Sequence, residues 1–380
     1  MRRKQDQKGK TKYEPTGKDR ERKGENKAAV CMVWTLVLLT CMVVMLMFAA
    51  DKTIVIADVS QAPSGLPVNT EQQGTPAEDK TLTLYEDQGR KGNFYIPLPK
   101  GIRAEEVTVE NRYMDRELLL YIQGGEESFY EENRISGDIA PVLSARCEMQ
   151  EEGMLLKIRM GRILEYRSTM DSSGLTINWY EPEELYDYIV VIDPAWGGSE
   201  KGIDGYGLLE KDLTLQVAKQ IQKQFDLEGV RLYCTRTEDV DVPVSDRIRL
   251  AEETGADFYV RLCAGEDVNS SETYGIAGFY NEEYYIPGLG NPQLADFLTR
   301  EVTVAASNRA LGLFTAGEES ILRQLQMPAA EISLGFLSNP REEYLLGQES
   351  YQEKLAAGCI SALVQAAEFL EEAGEEGGGR

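Results

Sequence analysis

The stretch IVVIDPAWGGSEKGIDGYGLLEKDLTLQVA, residues 189–218, decides how this chain folds. With Tyr188 it opens on YIVVI, a continuous apolar run of the kind a strand buried on both faces requires. Gly197, Gly198, Gly202, Gly205 and Gly207 then crowd one loop, as a tight path with positive φ or close backbone approach demands. Beyond the loop, Asp212 can cap a helix whose Leu215, Ala218, Ile221 and Phe225 form an apolar stripe. The unit is strand, glycine-rich loop, helix.

The same grammar continues toward the C-terminus. A strand is expected at residues 230–235 (VRLYCT), a helix opening at Ser245, and a strand at 257–263 (DFYVRLC). A helix over 292–306 precedes a strand at 329–334, and a last helix carries Tyr351, Leu355, Cys359, Ala362, Ala366 and Phe369 on one face. Strands alternating with helices predict an α/β domain over residues 187–370, a mostly parallel twisted sheet flanked by helices. Residues 371–380 read as a polar, disordered tail.

Toward the N-terminus the period changes to two. Met154, Leu156, Ile158 and Met160 alternate with Leu155, Lys157 and Arg159, and Leu175, Ile177 and Trp179 alternate with Thr176, Asn178 and Tyr180. Val107 and Val109 begin another such run, and residues 117–122 (ELLLYI) read as a buried strand. Residues 81–182 are therefore expected to form a small antiparallel β domain. Residues 51–80, rich in Pro, Gly, Gln and Ser, read as a flexible linker. Residues 28–50 are an uncharged apolar run that would reach about 35 Å as a helix, enough to cross a hydrocarbon core of roughly 30 Å. A basic tail, residues 1–27, precedes it. The expectation is one transmembrane helix with a cytoplasmic N-terminus and everything after residue 50 extracytoplasmic. A cleaved signal peptide is the rival reading, against which stand the long run and the absence of a small-residue cleavage site.

Charge narrows the partners. The net charge is −24, yet residues 1–27 hold eleven Lys or Arg against five Asp or Glu, so the remainder carries about −30. No nucleic-acid partner is expected of so acidic a body, since that affinity comes from neutralising phosphates. Anionic wall polymers would also repel it, so attachment there needs specific contacts. Cys31 and Cys41 fall in the apolar run. Cys147, Cys234, Cys263 and Cys359 are widely spaced and read first as isolated core thiols, with pairing left open.

Three blocks carry a resemblance: residues 189–218, CTRTEDVDVPVSDRIRLAEETGADFYVRLCA (234–264) and ILRQLQMPAAEISLGFLSNPREEYLL (321–346). In order and spacing they resemble the zinc-dependent N-acetylmuramoyl-L-alanine amidases. That family's pattern runs D-P-G-H-G-G, E-K-D, T-R-x-x-D, S-x-R, H-A-N and E-x-G-F-x-S-N. The resemblance implies a zinc held by His, Glu and His, a metal-activated water, a catalytic Glu, and peptidoglycan as substrate. It also makes the β domain similar in position to the wall-targeting modules of some wall amidases, with a structural stalk as the plainer reading.

Against that pattern the site is degenerate. The first His position is Trp196, the carboxylate ligand is retained as Glu210, the second His position is Cys263, and the catalytic Glu position is Ser333. The chain contains no histidine. An indole has no lone pair for a cation, and a thiolate with one carboxylate makes a two-ligand site. Glu331, on the same strand face as Ser333, is a weak substitute about 7 Å away. No functioning catalytic residue, metal or cofactor is therefore expected, and the substrate-binding candidates are Trp196, Glu210, Arg236 and Arg247. Arg236 and Arg247 read first as ion pairs holding the sheet end, and Glu210 as a solvated or Arg-paired carboxylate. Trp196 reads as filling volume that imidazoles and a metal left, or else as a flat platform for a sugar or peptide face.

Three functions follow as expectations. The first is a catalytically inactive envelope protein that binds peptidoglycan or a partner cell-wall hydrolase. The second is an active amidase with an altered zinc site of Cys263, Glu210 and Glu331. The third is a structural envelope scaffold.

Overall fold

The structure, a computed structural model, describes residue 56 and residues 80–377 apart from 88, 90–92, 284, 285 and 287. The N-terminal half is all strand with one short helix. In chain order it runs β1 (Lys80–Leu82), β2 (Leu84–Glu86), β3 (Asn93–Pro97), β4 (Val107–Arg112), β5 (Glu117–Gln123), α1 (Phe129–Glu132), β6 (Ile135–Gly137), β7 (Val142–Gln150), β8 (Gly153–Met160), β9 (Glu165–Met170) and β10 (Gly174–Tyr180). One sheet has the order β1-β7-β8-β5-β4 and a second the order β2-β6-β3-β10-β9. The two share a core because alternate residues of each strand point inward: Met154, Leu156 and Ile158 of β8 meet Phe94 and Ile96 of β3 and Leu175 and Ile177 of β10. On the outer face of β8, Leu155 is buried too, against Leu119 and Tyr121.

The C-terminal half alternates strands and helices: β11 (Tyr188–Pro194), α2 (Glu210–Gln224), β12 (Val230–Cys234), α3 (Val244–Glu253), β13 (Phe258–Gly265), β14 (Ile276–Tyr280), α4 (Asn291–Ala306), β15 (Ala310–Thr315), β16 (Ala329–Phe336), α5 (Pro340–Leu346) and α6 (Glu349–Gly377). The six strands order β12-β11-β13-β16-β14-β15. β12, β11, β13 and β16 are mutually parallel; β14 runs antiparallel to β16 and parallel to β15. One face is covered by α2, α4 and α6, with Leu213, Val217, Leu298, Val302, Leu355 and Cys359 against Val190, Ile192 and Val260. The chain leaves β11 toward β12 on one side and returns to β13 on the other. That reversal opens a crevice at the carboxyl ends of β11 and β13, where open α/β sheets place ligands.

The opposite face of the sheet is partly covered by the β-rich half. Ile163 packs with Ile189, Val191, Tyr233 and Tyr259, and Tyr113 and Met114 border the same core. Polar contacts tie the junction. The Tyr113 hydroxyl donates to the Cys234 carbonyl at 3.0 Å and accepts from its N–H at 3.1 Å. Glu165, 4% exposed, accepts from Arg231 Nε at 2.8 Å and from the Tyr233 hydroxyl at 2.5 Å. Arg116 pairs with Glu253. The described residues from 56 to 377 accordingly group as one compact unit.

One part of the expected fold is corrected. Among the described residues no helix is long and apolar enough to cross a membrane, so the fold class stands without the transmembrane helix. The longest helix among the described residues, α6 with 29 residues, is amphipathic: it buries Leu355, Cys359, Ala362 and Ala366 in the core and ends in a glutamate-rich segment. The apolar run at 28–50 lies outside the described residues, as do the 1–27 tail and most of the 51–80 linker. α6 continues to Gly377, past the limit at residue 370 drawn from sequence. Cys234, Cys263 and Cys359 are free, buried thiols, and Cys147 is buried as well.

Candidate functional site

The crevice is a cleft of about 770 Å³. Behind it lies a buried polar network seated on Asp193, the penultimate residue of β11, which is fully buried. Its carboxylate accepts from Thr235 Oγ1 at 2.6 Å and pairs with Arg247 and with Arg261. Burial alone would raise the Asp193 pKa; the Arg261 and Arg247 guanidiniums outweigh it and hold the carboxyl well below the usual range. Arg247, 3% exposed, also donates to the carbonyls of Pro194 (3.0 Å), Trp196 (2.9 Å) and Val242 (3.0 Å).

Arg236 differs from its expected role as an ion pair. Equally buried, it donates to the carbonyls of Pro194 (3.2 Å), Ala195 (3.0 Å) and Lys211 (2.8 Å). Burial and the charge of Arg247 push its pKa down to about 10. Neither Arg236 nor Arg247 lines the cleft. Both instead fix the loop that leaves β11.

Glu210 opens α2 and is neither solvated nor arginine-paired. It is 3% exposed, and its two oxygens accept backbone N–H groups from opposite walls, Ile203 at 2.9 Å and Ala264 at 2.9 Å. Those bonds staple the glycine-rich loop to the end of β13. Gly202, at φ +66°, makes the close approach possible: a Cβ there would lie 2.4 Å from Trp196 Cδ1 and 2.5 Å from Glu210 Oε2.

Trp196 sits at φ +63°, where a bulky residue is strained, and the residue is 37% exposed on the cleft wall. It is therefore no buried filler. Cys263, 7% exposed, donates its thiol to the Ile332 carbonyl at 3.4 Å. Burial, reinforced by the charges of Glu331 and Glu210, pushes that thiol well above its ordinary pKa, so it stays protonated. Ser333 pairs in register with Cys263 on the neighbouring strand; it is 2% exposed and its hydroxyl finds no hydrogen-bond partner among the described residues.

Glu331 lines the cleft and pairs in register with Arg261. It pairs with Arg261 Nε at 3.2 Å, while burial raises its pKa against the pull of that guanidinium. Arg261 is the residue that reading the sequence missed. It stands in register with Asp193 on one side and Glu331 on the other, and its guanidinium bridges both carboxylates. The signal was an arginine inside the otherwise apolar DFYVRLC run.

These groups do not fit a zinc ion. Zinc ligands must be deprotonated and offer lone pairs. Trp196 offers none, so the family positions supply at most the Glu210 carboxylate and the Cys263 sulfur, short of the three ligands a catalytic zinc requires. Among the described residues no three His, Cys, Asp or Glu gather closely enough to hold a metal.

Residues 190–365 match the Amidase_3 family, described as N-acetylmuramoyl-L-alanine amidase. The chain is 35% identical over 181 residues to the sporulation-specific N-acetylmuramoyl-L-alanine amidase of Bacillus subtilis, covering 47% of this chain and 67% of that one. It is 30% identical over 181 residues to the N-acetylmuramoyl-L-alanine amidase CwlM of Bacillus licheniformis, covering 47% and 68% respectively. Among solved structures, the N-acetylmuramoyl-L-alanine amidase from Clostridium difficile 630 is 30% identical, covers 48% of this chain and 97% of its own, and gives a TM-score of 0.45. All of these matches take in about half of the chain. By this kinship the chain belongs to the Amidase_3 family of N-acetylmuramoyl-L-alanine amidases.

Proposed function

We propose that this member of a cell-wall amidase family binds peptidoglycan through its cleft, outside the cytoplasm, without hydrolysing the muramoyl–L-alanine amide. One observation carries the reading. The positions that hold zinc in the family offer an indole, a carboxylate already bonded to two backbone N–H groups, and a buried thiol bonded to the Ile332 carbonyl. With no cation to acidify a water, the route from bound amide to attacking hydroxide is missing. The cleft itself stays open and keeps an exposed aromatic wall, so binding outlives turnover.

A second reading, an altered but working site of Cys263, Glu210 and Glu331, draws on Glu331 facing the cleft beside Cys263. Against it stands Arg261, whose charge already neutralises Glu331. A partner hydrolase as ligand, or a scaffold that leaves the cleft unused, are outcomes of the same experiment. Full-length chain is purified, its zinc measured by mass spectrometry, and its retention on isolated sacculi and release of muropeptides followed. The expected result is negligible zinc, no amide cleavage and saturable retention. Stoichiometric zinc with cleavage overturns the proposal; no retention moves the ligand to a protein partner or removes it.

A further inference from the structure

We infer that the group this cleft recognises is an organic ammonium, a primary amine carried on a peptide or an amino sugar, and not a metal ion or an anion. The inference rests on the wall-binding reading above and narrows it to a chemistry.

Three features of the cleft combine. The first is the Trp196 indole, held on the wall by a backbone that the Arg247 guanidinium fixes through the Trp196 carbonyl at 2.9 Å and that Gly197 and Glu200 close with paired 3.0 Å hydrogen bonds. A cation packs favourably over an indole face within about 6 Å. The second is charge. Glu200, Asp204 and Glu266 are exposed on the lining, and among the described residues no ion pair or side-chain hydrogen bond engages them. The third is Arg261, the one Lys or Arg on the described lining, whose guanidinium is committed to Asp193 and Glu331. An anionic ligand finds no free cation there, while a cationic one finds three free carboxylates.

Geometry separates an ammonium from a metal. A zinc ion needs ligands converging to about 2.0–2.3 Å from one point. An ammonium accepts carboxylates at about 2.8 Å, arranged more loosely around its three protons, and tolerates an aromatic face on its remaining side. The carboxylates here are spread over a cleft of about 770 Å³, and no three gather as metal ligands do among the described residues.

The test uses full-length chain and paired probes at low salt: a glucosamine hexamer against an N-acetylglucosamine hexamer, and the peptide Ala-Glu-Lys against its Nε-acetyl form. Binding is read by calorimetry, alongside retention on untreated and chemically acetylated sacculi. At least one free-amine probe is expected to bind about tenfold tighter than its acetylated counterpart, and the arm that does so identifies the carrier. Trp196→Gly should remove about tenfold of that affinity without lowering the unfolding midpoint, because it also relieves the positive φ; Trp196→Phe should retain most of it. Combined Glu200→Gln, Asp204→Asn and Glu266→Gln should abolish the preference for free amine. Equal affinity of free and acetylated probes, or a preference that survives the triple substitution, overturns the inference. Sacculus retention that acetylation leaves unchanged overturns it while leaving wall binding intact. Amine-selective binding without sacculus retention does the reverse.

Discussion

Two layers of one sheet end follow opposite rules. Behind the cleft, Asp193, Thr235, Arg236 and Arg247 are at most 3% exposed and hydrogen-bonded to one another or to the carbonyls of the β11 loop. Within the cleft stand an exposed indole, a buried thiol and unpaired rim carboxylates, and behind that thiol on the next strand lies the unpartnered hydroxyl of Ser333. The rear layer satisfies the folding requirements of the loop by itself. The front layer is consequently free to change its chemistry without loss of the fold, and an amidase-family architecture persists around an indole and a thiol at the family's two imidazole positions.

Substitutions can break this contrast. Asp193→Asn leaves the buried Arg247 guanidinium without its counter-charge and Arg261 with Glu331 alone, and should lower the unfolding free energy by about 3–5 kcal/mol in urea titrations; a loss below about 1 kcal/mol would refute the structural role of the rear layer. Acid probes the same residue. Its folded pKa lies below the ordinary Asp value of about 3.9, so its contribution is complete above that value and disappears as pH falls below it. Thermal midpoints should drop steeply under about pH 4, and Asp193→Asn should flatten that limb. Gly202→Ala, which drives a methyl into both Trp196 and Glu210 at positive φ, should cost about 1–3 kcal/mol and shift tryptophan emission; unchanged emission would separate the indole from the loop. The smallest effect belongs to the front layer: Ser333→Ala removes an unsatisfied hydroxyl and should leave stability unchanged or raise it by about 1 kcal/mol. A clear loss there would show that the hydroxyl has a structural task.

Much of this was readable in the chain because the signals were local. The run at 188–192 and the stripes of α2 and α6 named their elements through periodicity alone. The start of α2 was placed late: Asp212 was read as its cap, whereas the helix begins at Glu210, whose side chain reaches across to Ala264 instead of capping locally. The family pattern located Trp196, Glu210, Cys263 and Ser333, but their environments depended on register. That Asp193, Arg261 and Glu331 form one line across three strands follows from pairings separated by 68 and 70 residues, which no local window contains. The junction of the β-rich half was hidden for the same reason, since Glu165 meets Arg231 and Tyr233 only after both halves have folded.

That junction has a mechanical corollary. β12 is the terminal strand of its sheet, and Tyr113 seizes both peptide groups of Cys234 there while Arg116 grips Glu253 on the adjoining helix. Tension applied at the far end of the sandwich would reach the crevice through this clamp instead of being absorbed by slack, so the mouth keeps one bearing relative to whatever the sandwich is tied to.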